Sequence, residues 1–206
     1  MIYHREVQLA AKNYILVTKA VNTPVTLEEV KANARIDSDD FDDLIFPLIG
    51  VATSIGENIT GRDFINKTYK GFLDCFPHYD SESIQIRKSK LQSITTIEYY
   101  IDGVLTTMTS TDYYITESNE YSTINLVEGK SWPATDTRAQ AIVINFIAGY
   151  GLDQCSVPDA IKRAIISNVE LLRTNAGDCP DAEAGSNQIT SLYTPYILST
   201  KLVSVI

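Results

Sequence analysis

Ala141-Ile142-Val143-Ile144-Asn145-Phe146, then Gly149-Tyr150-Gly151, then Val157-Pro158-Asp159-Ala160-Ile161: across these residues the chain changes its period. In an extended strand Ile142, Ile144 and Phe146 share one side, and Ala141, Val143 and Asn145 the other. Both sides are mostly apolar, which predicts a strand that is central or sandwiched. The glycines end it. Val157-Pro158-Asp159 opens a helix, with proline in the first turn, where its missing N–H costs nothing. Ile161, Ala164, Ile165, Asn168, Leu171 and Leu172 then recur at helical spacing and predict the inner face of a helix ending near Gly177.

Upstream of this break, back to about residue 64, the period is two. Strands are predicted at 65–75, 83–88, 93–101, 104–108, 113–116, 122–127 and 139–147, all rich in Ile, Val, Thr and Tyr. Asp102-Gly103 is the strongest hairpin signal, because both positions tolerate positive φ.

Further upstream, the helical period returns. Thr26-Leu27-Glu28-Glu29 is a capping box and predicts a short helix to about Ala34 or Arg35. A second helix follows the acidic run, with Phe41, Leu44, Ile45, Leu48, Ala52, Ile55 and Ile59 as its expected apolar face and Gly61 as its C-cap. Pro47 lies inside this helix and removes one of its hydrogen bonds. Residues 1–24 read as an extended arm with one strand, Tyr14 to Val21.

The predicted class is α+β: a helical bundle carrying an inserted antiparallel β module. The expected division is an N-terminal arm (1–24), a helical part (25–62), the β module (63–150) and a helix completing the bundle (151–177). A linker and C-terminal docking tail (178–206) follow.

The chain has 206 residues, 17 basic against 26 acidic, a net charge of −9. A phosphate-backbone binder needs clustered cations that release counterions, so this balance argues against nucleic-acid recognition. No run approaches the ~18 apolar residues of a membrane span, and the N-terminus has no signal-peptide core. The expectation is a soluble chain, made in a cytoplasm and without a membrane partner. Cys75, Cys155 and Cys179 are spaced too widely for a zinc knuckle or redox pair and are expected as reduced thiols in packed positions.

Catalytic patterns are missing. Asp37, Asp39, Asp40, Asp42 and Asp43, read as a calcium loop, have no glycine at the sixth position and Leu48 at the twelfth. Acids at a helix N-terminus, favoured by the macrodipole, explain them better. His4 and His78 have no metal-binding spacing, and no nucleophile elbow or phosphate loop is present. No enzyme, cofactor or metal site is read.

Two segments look fit for docking. Arg87, Lys88 and Lys90 form a basic cluster, although a solvated loop that blunts a strand edge is the simpler reading. Leu192, Tyr193, Tyr196, Ile197, Leu198, Leu202 and Val203 form an apolar tail after a polar linker. Such a tail either packs back on its own subunit or inserts into a partner, and insertion is favoured.

The order of motifs adds a resemblance. Thr23-Pro24-Val25-Thr26-Leu27-Glu28-Glu29 leads into Arg35-Ile36-Asp37 and Asp43-Leu44-Ile45, followed by Thr60-Gly61-Arg62. Leu91-Gln92-Ser93-Ile94, Ser131-Trp132-Pro133, Phe146 to Gly151 and Val157-Pro158-Asp159-Ala160-Ile161-Lys162 complete the series. Over residues 23–175 it resembles the head–tail connector (adaptor) proteins of tailed bacteriophages and prophages. The resemblance implies a structural virion protein of the neck, without catalysis, that passes through the host cytoplasm during assembly. It also implies a homo-oligomeric ring, typically twelve-fold, with the portal protein on one side and a stopper or tail-completion protein on the other. Genomic DNA would pass through the lumen without specific contact. The rival readings are a tail-completion ring of the neck and a carbohydrate-binding β module of a tail fibre, with Tyr99, Tyr100, Tyr113 and Tyr114 as the available rings.

Overall fold

The computed structural model describes residues 9–10, 13–88, 90–117, 121–174 and 189–194. By contact the chain divides into two compact units, Met1–Lys19 with Asn66–Gly149, and Ala20–Ile65 with Tyr150–Ile206.

The first unit is all strand. Its elements are β1 (Leu9–Ala10), β2 (Asn13–Thr18), β3 (Lys67–Leu73), β4 (Ile84–Ile86), β5 (Leu91–Ile101), β6 (Val104–Thr107), β7 (Tyr113–Glu117), β8 (Ser122–Leu126) and β9 (Ile142–Ala148). One sheet has the order β1-β4-β8-β7, the other β2-β3-β9-β5-β6. Every pair is antiparallel except β1 with β4. Ile84, Ile86 and Ile124 from the first sheet join Leu91, Ile97, Ile142, Ile144 and Phe146 from the second in one core.

β9 is central, as its apolar pattern predicts. Ile142, Ile144, Phe146 and Ala148 are buried, and the alternate residues are half-buried. The β5–β6 hairpin turns at Asp102-Gly103, with φ of 51° and 76°. The Asp136 carboxylate accepts hydrogen bonds from both turn amides, at 2.8 and 2.9 Å. Asn13–Thr18, in the arm where the sequence predicts one strand from Tyr14 to Val21, is an edge strand in register with β3. The strand unit thus draws on chain from both sides of the first two helices.

The second unit is helical: α1 (Leu27–Ala34), α2 (Asp42–Thr60), a 3-10 turn (Gln154–Ser156) and α3 (Asp159–Thr174), with a further helical segment over 189–193. Thr26 and Glu29 form the capping box in both directions, at 3.0 and 2.8 Å. Gly61 closes α2 in the left-handed conformation. Ile45, Ile49 and Ala52 of α2 share one core with Val30 of α1 and Ile161, Ile165 and Val169 of α3. The helices before and after the long strand block therefore bury their faces on each other, as the patterning requires.

The α2 face itself is rotated from the one expected. The buried side is Ile45, Ile49, Ala52, Gly56 and Thr60, while Phe41 and Leu44 are about half exposed. With apolar residues nearly all round, the sequence period could not say which stripe faces inward.

Candidate assembly surfaces

Among the described residues no group of three or more His, Cys, Asp and Glu side chains could hold a metal ion. Nor is any helix among them long and apolar enough to cross a membrane. A cleft of about 460 Å³ is lined by Asn22, Thr23, Thr26, Asp153, Gln154 and Cys155. Its lining holds the Cys155 thiol and no histidine, and its one carboxylate, Asp153, accepts a hydrogen bond from Asn22 Nδ2 at 3.2 Å.

The acidic cluster is tied to α1: Lys31 Nζ lies 2.6 Å from Asp39 and 2.8 Å from Asp42. The hydrogen bond from Lys31 holds the Asp39 carboxyl below its ordinary pKa. Asp42 and Asp43 lie in the first turn of α2, which has no side-chain cap, and among the described residues these acids form no group that could hold a metal ion. Cys75 and Cys155 are free thiols and exposed, not packed as expected. Cys179 lies outside the described residues.

The basic cluster sits on the connection between β4 and β5. The Arg87 amide donates to the Tyr14 hydroxyl at 2.9 Å, and Lys88 Nζ stands 4.7 Å from the centre of the Tyr69 ring. Lys90 is exposed, and its carbonyl accepts from Gly149 N at 2.8 Å. Arg87 and Lys88 are thus partly engaged by their own sheet, and Arg87 and Lys90 remain open to solvent.

The tail divides. Leu192 and Tyr193, expected on a partner, pack into the chain's own helical core, and Tyr193 is fully buried. Its ring stacks on Phe64 with centroids 6.4 Å apart. Its hydroxyl accepts from Asn168 Nδ2 and donates to the Ala52 carbonyl, both at 3.4 Å, so that it links α3 to α2. Burial pushes the phenol above its ordinary 10.0, and the Asn168 bond offsets part of that rise. The reason is geometric: Gly56 leaves a gap on α2 that only a flat ring fills. Tyr196, Ile197, Leu198, Leu202 and Val203 lie outside the described residues.

In the strand unit the aromatic residues serve the fold. Trp132 stacks on Phe76 at 5.1 Å and donates from Nε1 to the Glu82 carbonyl. Tyr99 and Tyr113 pack against the core, while Tyr100 lies under the Arg138 guanidinium at 4.0 Å. Tyr114 alone of the four is more than half exposed. They form no continuous sugar-binding platform.

The exposed surface is apolar in places that sequence reading missed. Val21 is 92 % exposed and Leu152 70 %, the two most exposed large apolar side chains among the described residues. Asn22 joins their loops, donating from Nδ2 to the Leu152 carbonyl at 3.0 Å and to the Asp153 carboxylate at 3.2 Å. Only the tertiary structure brings residues 130 positions apart together, so no local pattern announced this pair.

No protein-family model matches the chain, and neither does any curated protein. Solved structures do match. A chain from the virion of a native gene transfer agent particle superposes with a TM-score of 0.70 at 16 % identity, over 89 % of this chain and 94 % of that one. A chain from the neck of an empty gene transfer agent particle, computed with C6 symmetry, gives 0.66 at 14 % identity over 82 % and 87 %. One from the neck of the native particle, computed with C12 symmetry, gives 0.63 at 15 % over 82 % and 86 %. The chain therefore has the fold of proteins found in the necks of gene transfer agent particles.

Proposed function

We propose that this chain is a structural protein of the neck of a phage-like particle. It acts as the head–tail connector: a ring beneath the portal that receives the stopper or tail-completion protein below and lets DNA pass through its lumen. The carrying observation is the fold shared over nearly the whole length of a virion chain, and with two chains from necks computed with C6 and C12 symmetry. The motif order resembling phage connectors supports the same reading independently. The missing catalytic patterns agree with a role of contact and not of chemistry.

The charge fits as well. Twelve copies at −9 each would carry on the order of −100 formal charges, which suits a channel that must not hold DNA. For docking we assign the segment after Thr194, with Tyr196, Ile197, Leu198, Leu202 and Val203, to the portal. Arg87, Lys88 and Lys90 are assigned to an acidic neighbour.

The test is co-purification of the full chain with the portal protein of its own particle. A complex whose mass corresponds to a closed ring on the portal supports the role; two proteins that stay separate at micromolar concentration contradict it.

A further inference from the structure

The two units share the chain's charge unequally. Met1–Lys19 with Asn66–Gly149 carry ten basic and eleven acidic residues, whereas Ala20–Ile65 with Tyr150–Ile206 carry seven and fifteen. Within the strand unit, cations gather at one end. Lys19 follows the Thr18–Thr68 pair and so comes beside Lys67 at the start of β3, which pairs with the end of β9. Lys90, just before β5, accepts from Gly149 just after β9. In the order β2-β3-β9-β5 these ends form a row about 15 Å long, at about 4.8 Å per strand. Arg87 and Lys88 cross the same end, tied to Tyr14 and Tyr69. The stretches that build it, 13–19, 66–73 and 84–97, contain no acid. Lys19, Arg87 and Lys90 are exposed, and among the described residues none of the three has an ion pair. The helical unit presents the opposite charge. Asp37, Asp40 and Asp43 are exposed and likewise unpaired, while Lys31 takes up Asp39 and Asp42. Arg35 is the only cation from 32 to 56, so the turn into α2 keeps a surplus of negative charge.

We infer that the basic end of the strand unit is the seat for a second copy of this chain: Lys19, Arg87 and Lys90 of one copy face Asp37, Asp40 and Asp43 of the next. The inference rests on the ring reading above and names the acidic neighbour which that reading leaves open. A ring needs a head-to-tail contact between two different patches, whereas a patch that pairs with itself stops at a dimer. A basic end and an acidic turn on one chain are such a pair. The net charge of −9 does not forbid the contact. At about 0.1 M salt the Debye length is about 10 Å, so more distant charges are largely screened and the facing groups decide the sign. Approaches that bring acid to acid are repelled, and the same charges therefore fix the register of the contact. A phosphate backbone is the poorer occupant, because the acids in excess on the same chain repel a polyanion.

Charge reversal tests it. Arg87→Glu with Lys90→Glu reverses the basic end, and Asp37→Lys with Asp40→Lys reverses the turn; all four positions are exposed, so the fold tolerates them. Sedimentation velocity of the full chain at about 0.1 M salt, raised to about 1 mM so that even a contact of millimolar Kd registers, gives the readout. The wild type is expected to associate. Each reversed chain alone sets like charge against like and should lose at least about tenfold in affinity. An equal mixture of the two restores opposite charges at every junction between unlike copies and should associate again. Both reversed chains stay net negative, so a general attraction does not explain that recovery.

A wild type monomeric throughout, a reversed chain that associates as the wild type does, or a mixture that stays inert would each overturn the inference. So would a lowered melting temperature for either reversed chain, which would mean that its charges are paired within one copy. Retention of a short DNA duplex by the wild type, lost on reversal of the basic end, would give that end to phosphate instead. Scoring the same variants for incorporation into particles separates the two claims. Wild type and both reversed chains present in necks leaves the connector reading standing without this contact; wild type absent from particles removes the reading itself.

Discussion

A β-carbon added to Gly56 would fall 2.7 Å from Cε1 of Tyr193, closer than such atoms ever pack. Tyr193 thus rests on the C-terminal part of α2, with Phe64 Cε2 at 2.8 Å from the same point. Gly50, two turns earlier on the same helix, faces open space.

The same substitution should therefore have opposite signs at the two sites. Gly56→Ala forces the rings of Tyr193 and Phe64 apart, and overpacking of this kind costs about 1–3 kcal/mol. Gly50→Ala removes backbone freedom from the unfolded chain and should add about 0.5–1 kcal/mol. Calorimetry reads the difference, at about 2–4 °C per kcal/mol for a chain of this size. Equal shifts would mean that Tyr193 does not sit on α2.

Ile45 on α2 and Ile165 on α3 are both fully buried in one core. Ile45→Asp and Ile165→Asp each place an unpaired carboxylate there, which costs several kcal/mol. Both should unfold the helical unit at ordinary temperature. A variant melting within about two degrees of the parent would dissolve the helix pairing.

Two truncations separate anchor from tail. Removal of 195–206 leaves Tyr193 in place and should hardly change the melting temperature, while abolishing portal binding in a pull-down. Removal of 190–206 also takes Tyr193 out of the core, a loss comparable to truncating a large aromatic, about 3–5 kcal/mol. If the shorter deletion still binds portal at full affinity, the docking role passes to the arm, residues 1–24.

The Tyr193 phenol gives a pH signature. Its folded pKa is raised above 10.0 by burial. The stabilising neutral form is therefore fully present below pH 10, and its contribution falls as pH climbs from 10 towards the folded pKa. Tyr193→Phe should cost about 1 kcal/mol at neutral pH through its lost hydrogen bonds, and flatten the alkaline fall of helical stability. Tyr14, also raised by burial, contributes its own loss in the strand unit and remains in the variant. An unchanged alkaline slope would place the phenol in water.

Most of the fold could be read from local chemistry. The capping box at Thr26, the Gly61 C-cap, the Asp102-Gly103 turn and the two-sided strand β9 each act through neighbours in sequence, and each is found where expected. What failed depended on distant chain. The inward stripe of α2 is chosen by Val169, Phe64 and Tyr193, which the period of α2 cannot know. The candidate docking residues were legible only as apolar or basic runs. Composition does not distinguish a ring that fits a gap at Gly56 from one left for a partner.

The central claim is a ring in the neck, and copy number tests it most directly. Quantitative mass spectrometry of purified particles, with immunogold labelling in the electron microscope, should find about twelve copies per particle, the number of a single ring in a neck of C12 symmetry, all at the single head–tail junction. Absence from particles, or hundreds of copies spread over the shell or tail, would contradict the account.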